Sequence, residues 1–79
     1  MAQLVRVIPK NSIEEVRVEL INYRGHDLVG MRVYSDFTKS KEMLPTKKGL
    51  TMSVEKLPEL IEALQEARSQ AEAAGTIRG

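Results

Sequence analysis

Cysteine is absent from this 79-residue sequence, which excludes a disulfide staple and any thiolate metal site. Histidine occurs once, at His26, too few to hold a metal without other ligands. Aromatic residues are scarce, and Tyr23, Tyr34 and Phe37 are the whole set. No stretch approaches the roughly 18 to 20 consecutive apolar residues of a membrane-spanning helix. The opening Met1-Ala2-Gln3-Leu4-Val5-Arg6 lacks the basic start and apolar run of a signal peptide. There is no internal repeat, no glycine-rich phosphate loop and no nucleophile motif. Asp27, Asp36 and Glu42 carry no spacing that fixes them as a metal-binding cluster. These absences lead to the expectation of a soluble cytoplasmic protein with no enzymatic activity, metal or cofactor.

What is present is a single small domain over residues 1–79. A chain of this length hides only about 60 to 65% of the surface its unfolded form exposes, so its stability margin is thin. With disulfides and metals excluded, pairing with a second copy is the remaining way to cover apolar surface, and a homodimer is expected. The formal net charge is only +1, but its distribution is uneven. Residues 1–52 carry nine Lys and Arg against six Asp and Glu, whereas residues 53–79 carry three against five. A basic body and an acidic tail suit a molecule that presents one surface to phosphate and another to solvent or to itself.

Periodicity supplies the elements. Leu4 to Ile8 is β-prone and stopped by Pro9, so residues 1–12 read as an arm or edge strand. From Ile13 to Tyr23, Val16, Val18 and Leu20 alternate with Arg17, Glu19 and Ile21, the period-two pattern of a half-buried strand. Arg24-Gly25-His26-Asp27 reads as a tight hairpin connection, with Gly25 free to take positive φ. Leu28 to Tyr34 follows, with Val29, Met31 and Val33 on one side and Gly30, Arg32 and Tyr34 on the other. A polar segment from Ser35 to Glu42 reads as a long loop, and Leu50-Thr51-Met52 as a last strand with Leu50 and Met52 inward. Ser53 is a suitable N-cap for an amphipathic helix bearing Leu57, Leu60, Ile61 and Leu64 on one stripe. Pro58 predicts a tightened start, Gly75 a stop, and residues 75–79 a frayed tail. The fold class is α+β, an antiparallel sheet followed by one C-terminal helix expected to cover the apolar face of the sheet.

The three rings and most of the cations share one region. Between Tyr23 and Met52, Arg24, Arg32, Lys39, Lys41, Lys47 and Lys48 stand against Asp27, Asp36 and Glu42. A ring stacks on a nucleobase while a neighbouring cation meets the adjacent phosphate, so this combination suits a single-stranded nucleic acid. Tyr23 lies on the Arg17 side of its strand, away from the valines, and is a candidate stacking residue. Tyr34 reads more simply as a half-buried cross-strand partner. Phe37 is either a lid on the core edge or an exposed stacking ring. The candidate nucleic-acid contacts are therefore Tyr23, Arg24, Arg32, Phe37, Lys39, Lys41, Lys47 and Lys48.

Three segments together carry a family resemblance: Tyr23-Arg24-Gly25-His26, Met31-Arg32-Val33-Tyr34, and the distinctive Met43-Leu44-Pro45-Thr46-Lys47-Lys48-Gly49-Leu50-Thr51-Met52-Ser53. From about Val16 to Leu64 the chain resembles the positive cofactor four family of transcriptional coactivators, in a compact bacterial or phage form. The resemblance implies a curved four-stranded antiparallel sheet plus helix, paired as a homodimer whose sheets form a grooved surface for single-stranded DNA with little sequence preference. It also implies a role in transcription regulation, replication or repair, and association with the nucleoid if the host is bacterial. Tyr23 matches the family's stacking aromatic, Arg32 its second-strand arginine, and Lys47 and Lys48 the basic pair before Gly49. Where the family commonly has tryptophan after the residue matching Tyr34, this chain has Ser35, with Phe37 two residues on. Where the family often has lysine before the proline, it has Leu44.

Two alternatives belong to other classes of partner. One is an adaptor or dimerisation module whose exposed sheet edge docks a protein of the transcription machinery, with the basic patch incidental. The other is a preference for RNA over DNA, since contacts to the 2′-hydroxyl leave no mark in a sequence.

Overall fold

The computed structural model describes residues 2–36 and 42–77. Its order is β1 (Ala2–Pro9), β2 (Glu14–Tyr23), β3 (His26–Ser35) and β4 (Leu44–Ser53), then a 3₁₀ turn (Val54–Lys56) and α1 (Leu57–Ala73). The four strands form one antiparallel meander in the order β1-β2-β3-β4. The expected α+β architecture of four antiparallel strands and one C-terminal helix is therefore the one observed. No helix among the described residues is long and apolar enough to cross a membrane.

Each connection has a local cause. Between β2 and β3 the turn is shorter than the sequence suggests, because Tyr23 pairs directly with His26 and only Arg24 and Gly25 lie outside the ladder. Both adopt left-handed backbone, at φ 52 and 80. Two such residues in succession make a turn whose twist matches that of the flanking strands. Between β1 and β2, Asn11 organises the corner: its side-chain oxygen accepts from the backbone N–H groups of Ile13 and Glu14 at 3.0 and 2.9 Å. Its amide in turn donates to Glu14 Oε1 at 2.8 Å. The helix also starts and stops as its sequence dictates. The Ser53 hydroxyl accepts from the Glu55 N–H at 3.2 Å, capping the 3₁₀ turn before Pro58. At the other end Gly75, at φ 74, lets the N–H groups of Gly75 and Thr76 turn back onto the carbonyls of Glu72 and Ala71.

Register sorts the strands into two faces. Directly paired residues of antiparallel strands share a face. One face carries Glu15, Arg17, Glu19, Ile21 and Tyr23 of β2 beside Arg32 and Tyr34 of β3. The other carries Val16, Val18 and Leu20 beside Val29, Met31 and Val33, continued by Leu50 and Met52 of β4. A one-residue bulge at Val5 lets β1 follow the twist of β2.

The helix does not lie over the apolar face as its leucine stripe leads one to expect. Only the three-residue 3₁₀ turn separates β4 from α1, so the helix is tethered at the Ser53 end; it packs on that turn, which in turn packs on β3. Residues 61–70 are exposed throughout. Val29 is the one buried apolar side chain among the described residues, while Leu20, Leu50, Ile61 and Leu64 are 39, 47, 50 and 57% exposed. The radius of gyration is 14.8 Å, against roughly 12 Å for a compact chain of this length.

The corner at Asn11 generates a titration prediction. The Asn11 hydrogen bond holds the Glu14 carboxyl below its ordinary pKa, outweighing the opposing effect of burial, with help from Lys10 and the charge of Lys48. A depressed carboxylate contributes stability above the unfolded-state value and loses it as pH falls through the folded-state value. Carbon-detected NMR titration is expected to show Glu14 below the ordinary carboxylate value and to move it upward in Asn11→Ala; an unmoved midpoint refutes the assignment.

Candidate nucleic-acid interface

The polar face of the sheet is built at two ends of β3. At the turn end, Tyr23 is 57% exposed, and the Arg24 guanidinium carbon lies 5.2 Å from its ring centroid. This pairs a flat apolar surface with a cation, and both stand clear of the core. Near the other end, Arg17 and Arg32 are direct cross-strand partners. Like charges facing each other are unfavourable unless each has its own acceptor. Both do. Arg17 Nε donates to Glu15 Oε2 at 2.6 Å, and Arg32 Nη1 donates to the Thr46 carbonyl at 2.9 Å.

The second acceptor exists because β4 is bulged. Tyr34 pairs with Pro45 and Arg32 with Gly49, so Thr46, Lys47 and Lys48 together oppose the single residue Val33. The Thr46 hydroxyl holds this shape, donating to the Val33 carbonyl at 2.8 Å and accepting from the Lys48 N–H at 3.1 Å. Pro45, with no N–H to give, stands at the start of the strand where no ladder donor is lost. Gly49 closes the bulge for a steric reason. A Cβ there would meet the Met31 carbonyl oxygen at 2.7 Å and Arg32 Cα at 3.0 Å. Lys47 and Lys48 stand on the bulge, both exposed, and Lys48 lies within electrostatic reach of Glu14.

Tyr34 sits beside this cluster. Its ring underlies the Arg17 guanidinium, whose carbon is 4.1 Å from the ring centroid. Its hydroxyl donates to Glu19 Oε1 at 3.1 Å. Burial, then the Glu19 hydrogen bond and charge, raise the phenol pKa above its ordinary value. The hydroxyl therefore stays protonated and donating throughout the neutral range.

Of the residues singled out from sequence, the structure joins Tyr23 to Arg24 at one end and Arg32 to the Lys47-Lys48 bulge at the other. Arg32 lies six positions along β3 from His26, the partner of Tyr23, a span of about 20 Å. Phe37, Lys39 and Lys41 lie outside the described residues. Sequence reasoning placed Arg17 only as a neighbour on the strand of Tyr23, and did not see Thr46 and Glu15 as the groups that position the cations or Glu19 as the one that holds Tyr34. The parity of β2 and β3 gives the face of Arg17, but its partners follow only from register. Among the described residues no group of three or more His, Asp or Glu is placed to hold a metal ion.

Comparison with known proteins gives a consistent pattern. The model of the family described as Transcriptional Coactivator p15 (PC4) matches residues 10–63. Among solved structures, the chain is similar to a PC4 homolog from Burkholderia pseudomallei, with a TM-score of 0.78 and 22% identity over 86% of this chain and 98% of the other. It is also similar to the bacteriophage T5 homolog of the eukaryotic transcription coactivator PC4, a protein implicated in recombination-dependent DNA replication. That similarity has a TM-score of 0.70 and 26% identity over 90% of this chain and 81% of the other. No curated protein sequence matches the chain.

The bulge yields a mutational prediction. Gly49→Ala is expected to destabilise the fold by about 1–3 kcal/mol, because the added methyl meets backbone rather than a movable side-chain tip. Urea denaturation measures this, and the Arg32 amide shift reports the accompanying displacement. A variant as stable as the parent contradicts the close approach.

Proposed function

The chain belongs to the Transcriptional Coactivator p15 (PC4) family, and from that premise we propose that it holds single-stranded DNA without sequence preference and without catalysis. Family membership supports a DNA-binding role, and likeness to the T5 homolog supports action in replication or recombination as well as transcription regulation. The observation that carries the proposal is the shared face of Tyr23, Arg24 and Arg32: a 57% exposed ring, a cation beside it, and a second cation fixed along the same strand pair. An unpaired base stacks on Tyr23. Its phosphodiester chain passes Arg24 and runs along β3 toward Arg32, Lys47 and Lys48. The sequence adds Phe37, Lys39 and Lys41 as further contacts between β3 and β4. A duplex hides the faces of its bases and gains little from such a platform.

The working unit is a homodimer. Ile61 and Leu64 are exposed on the helix, as are Leu20 and Leu50 on the sheet, and the one buried apolar side chain among the described residues does not offset the entropy of ordering a chain of this size. A second copy covers this surface and doubles the strand-binding area. Lysine substitution at both Ile61 and Leu64 is expected to shift the protein toward monomer in sedimentation experiments and to weaken strand binding with it. An unchanged mass in the variant rules out that interface.

Fluorescence anisotropy with single-stranded DNA, duplex DNA and RNA oligomers tests the function directly. Neutralising about four to six phosphates gives a log-log salt slope near −3 to −4 for a single strand. Tyr23→Ala is expected to weaken binding by about 1–3 kcal/mol with little change in that slope. Charge reversal at Lys47 and Lys48 is expected to flatten it. Binding indifferent to salt, or stronger for duplex, defeats the proposal, and preference for the RNA oligomer redirects it. Normal oligonucleotide binding after charge reversal favours a protein-docking role on the transcription machinery.

A further inference from the structure

We propose that Arg17, its guanidinium carbon set over the Tyr34 ring, is a second base-stacking subsite, in which the outward side of the guanidinium takes an unpaired base, purines above pyrimidines. This subsite rests on the strand-binding proposal above and assigns a chemical role to a pair that the proposal leaves unused.

The geometry separates the two roles open to an arginine on such a face. As a phosphate contact Arg17 is poorly equipped. Its Nε lies 2.6 Å from Glu15 Oε2, so the pair is close to neutral, and bringing phosphate beside Glu15 adds repulsion to the exchange. As a stacking surface it is well equipped. The Tyr34 ring covers one side of the guanidinium at 4.1 Å, while 29% of the Arg17 side chain remains exposed. Arginine planes accept nucleobases as aromatic rings do. Pre-ordering matters as well, because a guanidinium already held by a ring and a carboxylate loses little freedom when a base arrives.

Tyr34 acquires a definite part in this arrangement. It lies beneath Arg17, with its hydroxyl tied to Glu19 at 3.1 Å, and so serves as the backing layer. Among the described residues the Nη groups of Arg17 have no hydrogen-bond partner, which leaves donors at the rim for the N7 or carbonyl acceptors of a stacked purine. Arg17 lies six residues along β2 from Tyr23, about 20 Å. The two stacking positions therefore grip different nucleotides of one strand, and the run of the strand along β2 and β3 is set by them.

The test compares Arg17→Lys, Arg17→Gln and Tyr34→Phe with the parent by anisotropy on oligodeoxyadenylate and oligothymidylate across a salt series, each variant first checked by thermal melting. Lysine keeps the charge and loses the plane; glutamine keeps a planar end and loses the charge. A stacking subsite predicts that Arg17→Lys weakens oligodeoxyadenylate binding about five-fold or more, lowers the preference over oligothymidylate, and leaves the salt slope unchanged. It predicts that Arg17→Gln binds better than Arg17→Lys; should one of the two fold poorly, the other is read against the parent. Tyr34→Phe, which keeps the ring, is expected to bind as the parent does. The opposite order, with lysine restoring affinity and glutamine losing about one unit of slope, makes Arg17 a phosphate contact and overturns the subsite. So does binding unaffected by either change. A parent protein that binds no single strand sinks the strand-binding proposal and the subsite with it, whereas parental binding with an inert Arg17 sinks the subsite alone.

Discussion

The register of β2 against β3 is the constraint from which the other features follow. A ladder that closes at Tyr23 and His26 places Arg17 opposite Arg32, Glu15 opposite Tyr34 and Val18 opposite Met31. Two consecutive left-handed residues, Arg24 and Gly25, set that closure. Arg24 bears a cost of about 1–2 kcal/mol for a conformation that glycine adopts freely, and the ten-residue ladder it anchors offsets that cost many times over. A slip of one residue exchanges every side chain between faces. It would put valines where the cations stand and drive Arg17 and Arg32 onto the apolar side.

On the polar face, the difference between structural and available charge is a matter of acceptors. Arg17 is neutralised by a carboxylate, whereas Arg32 gives one N–H to a backbone carbonyl and keeps its full charge. The bulge in β4 is what makes this possible. By setting three residues against Val33 it turns the Thr46 carbonyl toward Arg32, and it requires at Gly49 a residue with no side chain at all. The Pro-Thr-Lys-Lys-Gly run is thus one device: a proline that needs no donor, a hydroxyl that fixes the bulge, two exposed cations and a glycine that permits the close approach.

The apolar face and the helix stripe show the opposite tendency, an excess of exposed hydrophobic surface. A half-covered sheet with a helix tethered at one end gains little from burial within a single copy. The exposed apolar residues Leu20 and Leu50 and the cations Arg17 and Arg32 thus lie on different sides of one sheet.

Much of this was legible in the sequence, for reasons that are local. Period-two alternation from Val16 to Leu20 and from Val29 to Val33 gives the strands and their faces, because side-chain direction in a strand depends on parity alone. Ser53, Pro58 and Gly75 give the bounds of the helix, because capping and φ are properties of single residues. The sequence leads to a four-residue turn at Arg24 to Asp27, and the observed two-residue turn shifts the pairing by two, which preserves every face while changing every partner. Parity therefore placed Tyr23 with Arg17 correctly, but it could not reveal that Arg17 stacks on Tyr34 or that Thr46 holds Arg32. Those contacts depend on register and on a bulge, which arise from chain segments some fifteen residues apart and appear only once the strands lie side by side. The path of the helix is likewise a tertiary outcome. An apolar stripe states that something must cover it, and only the short tether after β4 decides that the sheet of the same chain does not.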